Sequence, residues 1–80
     1  MNAGVKPFVS VLLPAYNEEA LLENHVQIVA SYLSELESKY RWEILIVNDG
    51  SRDRTREIAE SLAAQISKVR VIHHPANFGL

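Results

Sequence analysis

Eighty residues, with a formal net charge of −2 and no cysteine, make one domain at most, and a chain of this size buries only about 60% of the surface it exposes when unfolded. A hydrophobic share of 48% against 22% charged excludes a disordered segment, and acids mixed with bases give no reason to expect a nucleic-acid partner. With no disulfides, no long apolar leader and no run near the ~20 apolar residues that span a bilayer, a soluble, cytoplasmic chain is expected.

Phe8-Val9-Ser10-Val11-Leu12-Leu13 is a short run of strand formers between Pro7 and Pro14. Its near-continuous hydrophobicity predicts a strand covered on both faces, and Pro14, which cannot donate to a ladder, is expected to end it. Leu22, Val26, Val29, Leu33, Leu36 and Tyr40 then recur at steps of four and three, which puts them on one face of a long helix. Asn17 is its expected N-cap. Glu18 and Glu19 fall in its first turn and Lys39 near its other end, where the helix dipole favours those charges.

Trp42-Glu43-Ile44-Leu45-Ile46-Val47 predicts a second strand, stopped by the turn formers Asn48-Asp49-Gly50-Ser51. A second helix is expected over residues 54–65, with Ile58, Leu62 and Ile66 as its stripe and Asp53 as its N-cap. Val69-Arg70-Val71-Ile72 is a third, shorter strand, closed by Pro75. No repeat or low-complexity segment interrupts this β-α-β-α-β order. Each crossover exceeds the ~12 residues that a parallel connection requires, so a parallel sheet with right-handed crossovers is expected.

In open sheets of this kind ligands bind beyond the carboxyl ends of the strands. The polar loops around Tyr16-Asn17 and Asn48-Asp49-Gly50 both fall at that rim. Tyr16 offers a face on which a base stacks, or it merely packs on its own loop. Glu18 accepts hydrogen bonds from a sugar hydroxyl or a base amine, or only charges its helix. Asp49 accepts from a base N–H or a ribose, or only holds its turn. Gly50 permits a backbone conformation that other residues resist. Two such loops at one edge favour a ligand site.

Val9-Ser10-Val11-Leu12-Leu13-Pro14-Ala15-Tyr16-Asn17-Glu18-Glu19 and Ile46-Val47-Asn48-Asp49-Gly50-Ser51-Arg52-Asp53-Arg54-Thr55 resemble the two opening signatures of the family 2 glycosyltransferases. Asn77-Phe78-Gly79 resembles a third, and the three stand in the family's order and spacing over nearly the whole chain. The Pro-Ala-Tyr-Asn-Glu-Glu form is most similar to the branch of dolichyl- and polyprenyl-phosphate sugar transferases. The resemblance implies an α/β fold, the parallel Rossmann-like half of a GT-A fold, incomplete here, with residues 1–80 as the N-terminal nucleotide-binding part of a larger glycosyltransferase domain.

Carried over by position, Pro14, Tyr16 and Glu18 line the nucleotide pocket, and Val47 and Asp49 lie beside the base and ribose. The family often has two adjacent aspartates where this chain has Asn48-Asp49. Asn48 keeps hydrogen bonding and loses a charge, which leaves Asp49 as the acid expected to touch nucleotide. Arg52 and Arg54 depart from the commoner small residues, without an evident effect on chemistry.

The implied reaction is an inverting transfer of sugar from a nucleotide-sugar donor, of UDP or GDP type, to a lipid-phosphate or glycan acceptor. In the family Mg²⁺ or Mn²⁺, held by an Asp-x-Asp motif, assists the departing diphosphate, and a further carboxylate serves as base. The last acid here is Glu60, so this segment is expected to bind no metal and not to catalyse alone. His73 and His74, adjacent at a strand end, point to opposite faces and make a poor metal pair, and Glu18 with Asp49 makes another. An isolated chain of this length is expected to self-associate through an exposed sheet edge. The full-length protein is expected at the cytoplasmic membrane face. A non-catalytic nucleotide-binding or interaction module is the alternative from another class. A flavodoxin- or receiver-type domain fits poorly, because no glycine-rich loop follows the first strand.

Overall fold

A computed structural model of the chain describes residues 5–74; Pro75 and the Asn77-Phe78-Gly79 motif lie outside them. The elements are β1 (Phe8–Ala15), α1 (Leu22–Ser34), β2 (Arg41–Asp49), α2 (Thr55–Gln65) and β3 (Val69–His74). They form one three-stranded sheet in the order β1-β2-β3, parallel at both pairings. This is the expected Rossmann-like β-α-β-α-β arrangement. Among the described residues no helix is long and apolar enough to cross a membrane.

The register fixes which side chains share a face. Val11 pairs with Ile44, Leu13 with Ile46, and Ala15 with Asn48, while Ile44 pairs with Val69 and Ile46 with Val71. The apolar residues among them pack with Leu22, Val26 and Leu33 of α1 and Ala59 and Leu62 of α2 in one core. Strand side chains alternate between faces, so Leu12, Leu45, Val47 and Ile72 point the other way. Leu12 is 60% exposed and Ile72 42%. The expected cover on both faces is therefore present on one face only among the described residues, since successive right-handed crossovers in one direction stack both helices on the same side.

Several element ends differ from the sequence pattern. β1 runs through Pro14 to Ala15. Pro14 is tolerated because β1 is an edge strand and a missing donor can face away from its partner. β2 takes in Asn48 and Asp49, and β3 takes in His73 and His74, because these residues pair with one another across the ladder. α1 is shorter than its apolar stripe. It begins only at Leu22, after a turn in which the Glu18 carbonyl accepts the Leu21 and Leu22 N–H groups at 2.9 Å.

Asn17 is thus not the N-cap of α1, and the acid in the first turn is Glu23, not Glu18 or Glu19. At the other end the Ser34 hydroxyl donates to the Ala30 carbonyl at 2.8 Å, a back-bond that weakens helix continuation. Leu36 and Tyr40 then follow in tight turns, with Leu36 N–H donating to Leu33 O at 2.9 Å. Lys39 therefore lies beyond the helix end. The opposite, amino-terminal rim is knotted by Glu37, whose carboxylate accepts Trp42 Nε1–H at 3.0 Å and Lys68 Nζ at 3.1 Å. Lys68, and to a lesser degree Trp42, hold the Glu37 carboxyl below its ordinary value.

Candidate functional site

At the carboxyl rim the strands end in step. Ala15 is level with Asn48, and Asp49 with His74, so Tyr16, the residue after β1, follows at the rim where β2 and β3 end in Asp49 and His74. By alternation Pro14, Val47, Asp49 and His74 belong to the helix-free face. Tyr16 is 46% exposed, which leaves its ring free for stacking, and Pro14 is exposed beside it. Gly50 has φ 70°, the left-handed turn that the sequence called for and that glycine enters without strain.

Asp49 is only 5% exposed, more enclosed than a carboxylate at the head of a loop. Its Oδ1 lies 3.6 Å from His74 Nδ1. Inclusion in β2 explains the burial, since the ladder carries Asp49 down against His74. Glu18 is half-buried, and its backbone N–H is committed to Thr55.

The two rim loops are bound to each other by reciprocal capping. Three successive N–H groups of the first loop are taken by side chains of the second. Asn17 N–H donates to Ser51 Oγ at 3.0 Å, Glu18 N–H to Thr55 Oγ1 at 2.7 Å, and Glu19 N–H to Asp53 Oδ2 at 3.2 Å. In return Asn17 Oδ1 accepts Arg52 N–H at 2.8 Å and Glu19 Oε1 accepts Arg54 N–H at 3.5 Å. Asn17 holds φ 51° to do this, a conformation asparagine tolerates better than most residues.

Asp53 also accepts Thr55 N–H at 2.9 Å, so its side chain serves the first turn of α2, while the N-cap position falls one residue later than the sequence pattern predicts, at Arg54. Burial pushes the Asp53 carboxyl up, but the Thr55 hydroxyl and the N–H groups of Thr55 and Glu19 outweigh it and leave the group below its ordinary value. Thr55 is fully buried. None of Ser51, Asp53 and Thr55 stood out in the sequence as building this rim. The pairing is crossed, with Glu18 reaching Thr55 and Glu19 reaching Asp53, so no spacing within either loop announces it.

On the helix side of the same rim Asn48 Nδ2 lies 3.0 Å from His73 Nδ1, and His73 Nε2 lies 3.1 Å from Glu60. His73 and His74 indeed serve opposite faces. Among the described residues no group of three or more His, Asp and Glu side chains is placed to hold a metal ion. Asp49 and His74 come together on the open face, and Glu18 does not join them in such a group.

Comparison with known proteins bears on the same segment. The profile of glycosyl transferase family 2 matches residues 10–80. The chain is similar to Dolichyl-phosphate beta-glucosyltransferase ALG5A of Trichomonas vaginalis, 37% identical over 75 residues that cover 90% of this chain and 23% of that protein. It is also similar to Glycosyltransferase AglD of Haloferax volcanii, 39% identical over 77 residues covering 96% of this chain and 12% of the relative. Uncharacterized glycosyltransferase EpsJ of Bacillus subtilis is 41% identical over 75 residues, 92% of this chain and 20% of that protein. The chain thus spans less than a quarter of the length of these curated relatives. With a family profile covering all but its first nine residues, on a parallel sheet whose two signature loops meet at one rim, the chain belongs to glycosyl transferase family 2.

Proposed function

We propose that residues 1–80 are the N-terminal, nucleotide-binding part of a glycosyltransferase domain that moves a sugar from a UDP- or GDP-type donor to a lipid-phosphate or saccharide acceptor. The observation that supports this reading is the near in-step ending of β1 and β2, which puts Tyr16, the residue after β1, at the same rim as Asp49, the last residue of β2, on interlocked loops. In this reading the base stacks on Tyr16, with Pro14 and Val47 as the apolar floor beneath it. Asp49 accepts a base N–H or ribose hydroxyl, and Glu18 reaches the same pocket from the head of the first loop. An aromatic face and a mostly desolvated carboxylate are the chemistry that a nucleoside needs. The names of the relatives extend the reading toward dolichyl-phosphate acceptors.

Transfer with inversion expels a nucleoside diphosphate, and a divalent cation such as Mg²⁺ or Mn²⁺ supplies the neutralising charge when bound. The residues described here do not fit such an ion, because no triad of ligands converges among them. This segment's share of the work is therefore to bind and orient the nucleotide. The protein is proposed to act in the cytoplasm, at the membrane face. The 80-residue chain alone is proposed to self-associate through its open sheet edge.

Calorimetry with UDP and GDP on the full-length chain tests the site. Asp49→Ala is expected to weaken whichever nucleotide binds by about 10- to 100-fold, the range for losing a hydrogen bond to a charged group. Unchanged affinity would refute the assignment of Asp49. Turnover of a nucleotide-sugar by the same preparation separates a transferase from a non-catalytic binding module.

A further inference from the structure

We propose that Thr55 and Asn17 are positioning residues for nucleotide, acting through the loop that carries Tyr16 and Glu18. The inference rests on the nucleotide reading above and goes beyond it, since neither residue is assigned to the pocket itself. Thr55 Oγ1 accepts the Glu18 N–H at 2.7 Å and donates onward to Asp53, which in turn takes the Glu19 N–H. Asn17 Oδ1 closes the circuit by accepting the Arg52 N–H at 2.8 Å. Two loops that would otherwise move separately become one rigid rim.

Tyr16 directly precedes this pinned segment, and Asp49 precedes Gly50 and Ser51 on the other side of it. The spacing between the stacking ring and the carboxylate is therefore set by the latch. A ligand that must touch both finds them already arranged, without the ordering cost that two free loops would add on binding.

Valine replaces the threonine hydroxyl with a methyl group of similar size, so Thr55→Val releases the Glu18 N–H with little change in packing. Thr55→Ser keeps the hydroxyl. In the full-length chain, UDP and GDP affinity is measured by calorimetry at a temperature where each variant is folded, with the melting temperature of the free protein recorded alongside. Thr55→Val is expected to weaken nucleotide binding about tenfold, the cost of one buried donor left unmade, with Thr55→Ser within about twofold of the unaltered chain. A merely structural threonine lowers the melting temperature and leaves the affinity alone, and that result overturns the proposal. Equal losses in the serine and valine variants overturn it as well.

If Thr55→Val does not fold, the exposed Asn17 decides the matter. Asn17→Gly keeps the left-handed backbone and removes only the acceptor, and it is expected to weaken binding about threefold or more, while Asn17→Asp restores the acceptor and the affinity. No difference between that pair sinks the latch. Should the unaltered chain bind neither UDP nor GDP, the nucleotide reading itself falls and takes this proposal with it. Should it bind while both series bind equally well, only the latch falls.

Discussion

Burial raises the Asp53 carboxyl, but the Thr55 hydroxyl and the backbone N–H groups of Thr55, Glu19 and Asp53 itself lower it by more, so its pKa in the folded chain lies below that of a free aspartate. The sign of the consequence is set by linkage. Stability contributed by a depressed acid is whole above its unfolded value, about 3.9, and is lost as the pH falls through the lower folded value. Asp53→Asn keeps one acceptor and removes the charge. The gap in melting temperature between the unaltered chain and Asp53→Asn is therefore expected to be widest near neutral pH and to close below about pH 4. A gap independent of pH would mean that the carboxylate charge does nothing for the loops. Asn48 makes a complementary case, because its amide meets His73 Nδ1 on the helix side without adding a charge there.

The strands and both helices were legible from periodicity alone, because alternating or near-continuous apolar residues leave few choices about which surface is buried. Element ends were not. Asn48 and Asp49 read as turn formers, yet they sit in β2 because His73 and His74 offer them ladder partners 25 residues on. Asn17 read as an N-cap, yet its side chain serves Arg52 across the gap between loops. Local propensity cannot see either partner. Within the candidate site, Pro14, Tyr16, Val47 and Asp49 follow from strand order and register. Ser51, Asp53 and Thr55 depend on contacts between loops that no single stretch of sequence reveals. The face assignment of the strands is itself testable. Ile44, fully buried under the helices, and Leu12, 60% exposed on the other face, lie in neighbouring strands. Ile44→Ala is expected to cost about 2–5 kcal/mol in urea denaturation and Leu12→Ala less than about 0.5 kcal/mol. Similar costs would mean that the two faces were assigned wrongly.

At the scale of the whole molecule, one side of the sheet has no helix over it among the described residues, and the outer edges of β1 and β3 pair with no further described strand. Leu12 and Ile72 stand open on that side, and Leu21 just before α1, with Ile28 and Tyr32 along it, stand open at 52%, 59% and 64% exposure. An edge strand with unpaired N–H and C=O groups beside an apolar face is a template for a second copy. The 80-residue chain is accordingly expected to sediment as dimers or larger species at micromolar concentration. Leu12 offers the sharpest probe of the route, since it belongs to the edge strand β1 and is exposed on the open face. A lysine there is the device by which natural edge strands resist pairing, and at a position so exposed it should leave the core intact. Leu12→Lys is therefore expected to shift the sedimentation profile toward monomer with little change in circular dichroism. If the unaltered chain is already a stable, well-folded monomer, the open edge is not sticky enough to matter. If Leu12→Lys associates as strongly as before, the contact runs instead through the exposed stripe of α1, where Ile28→Lys becomes the variant that separates the copies.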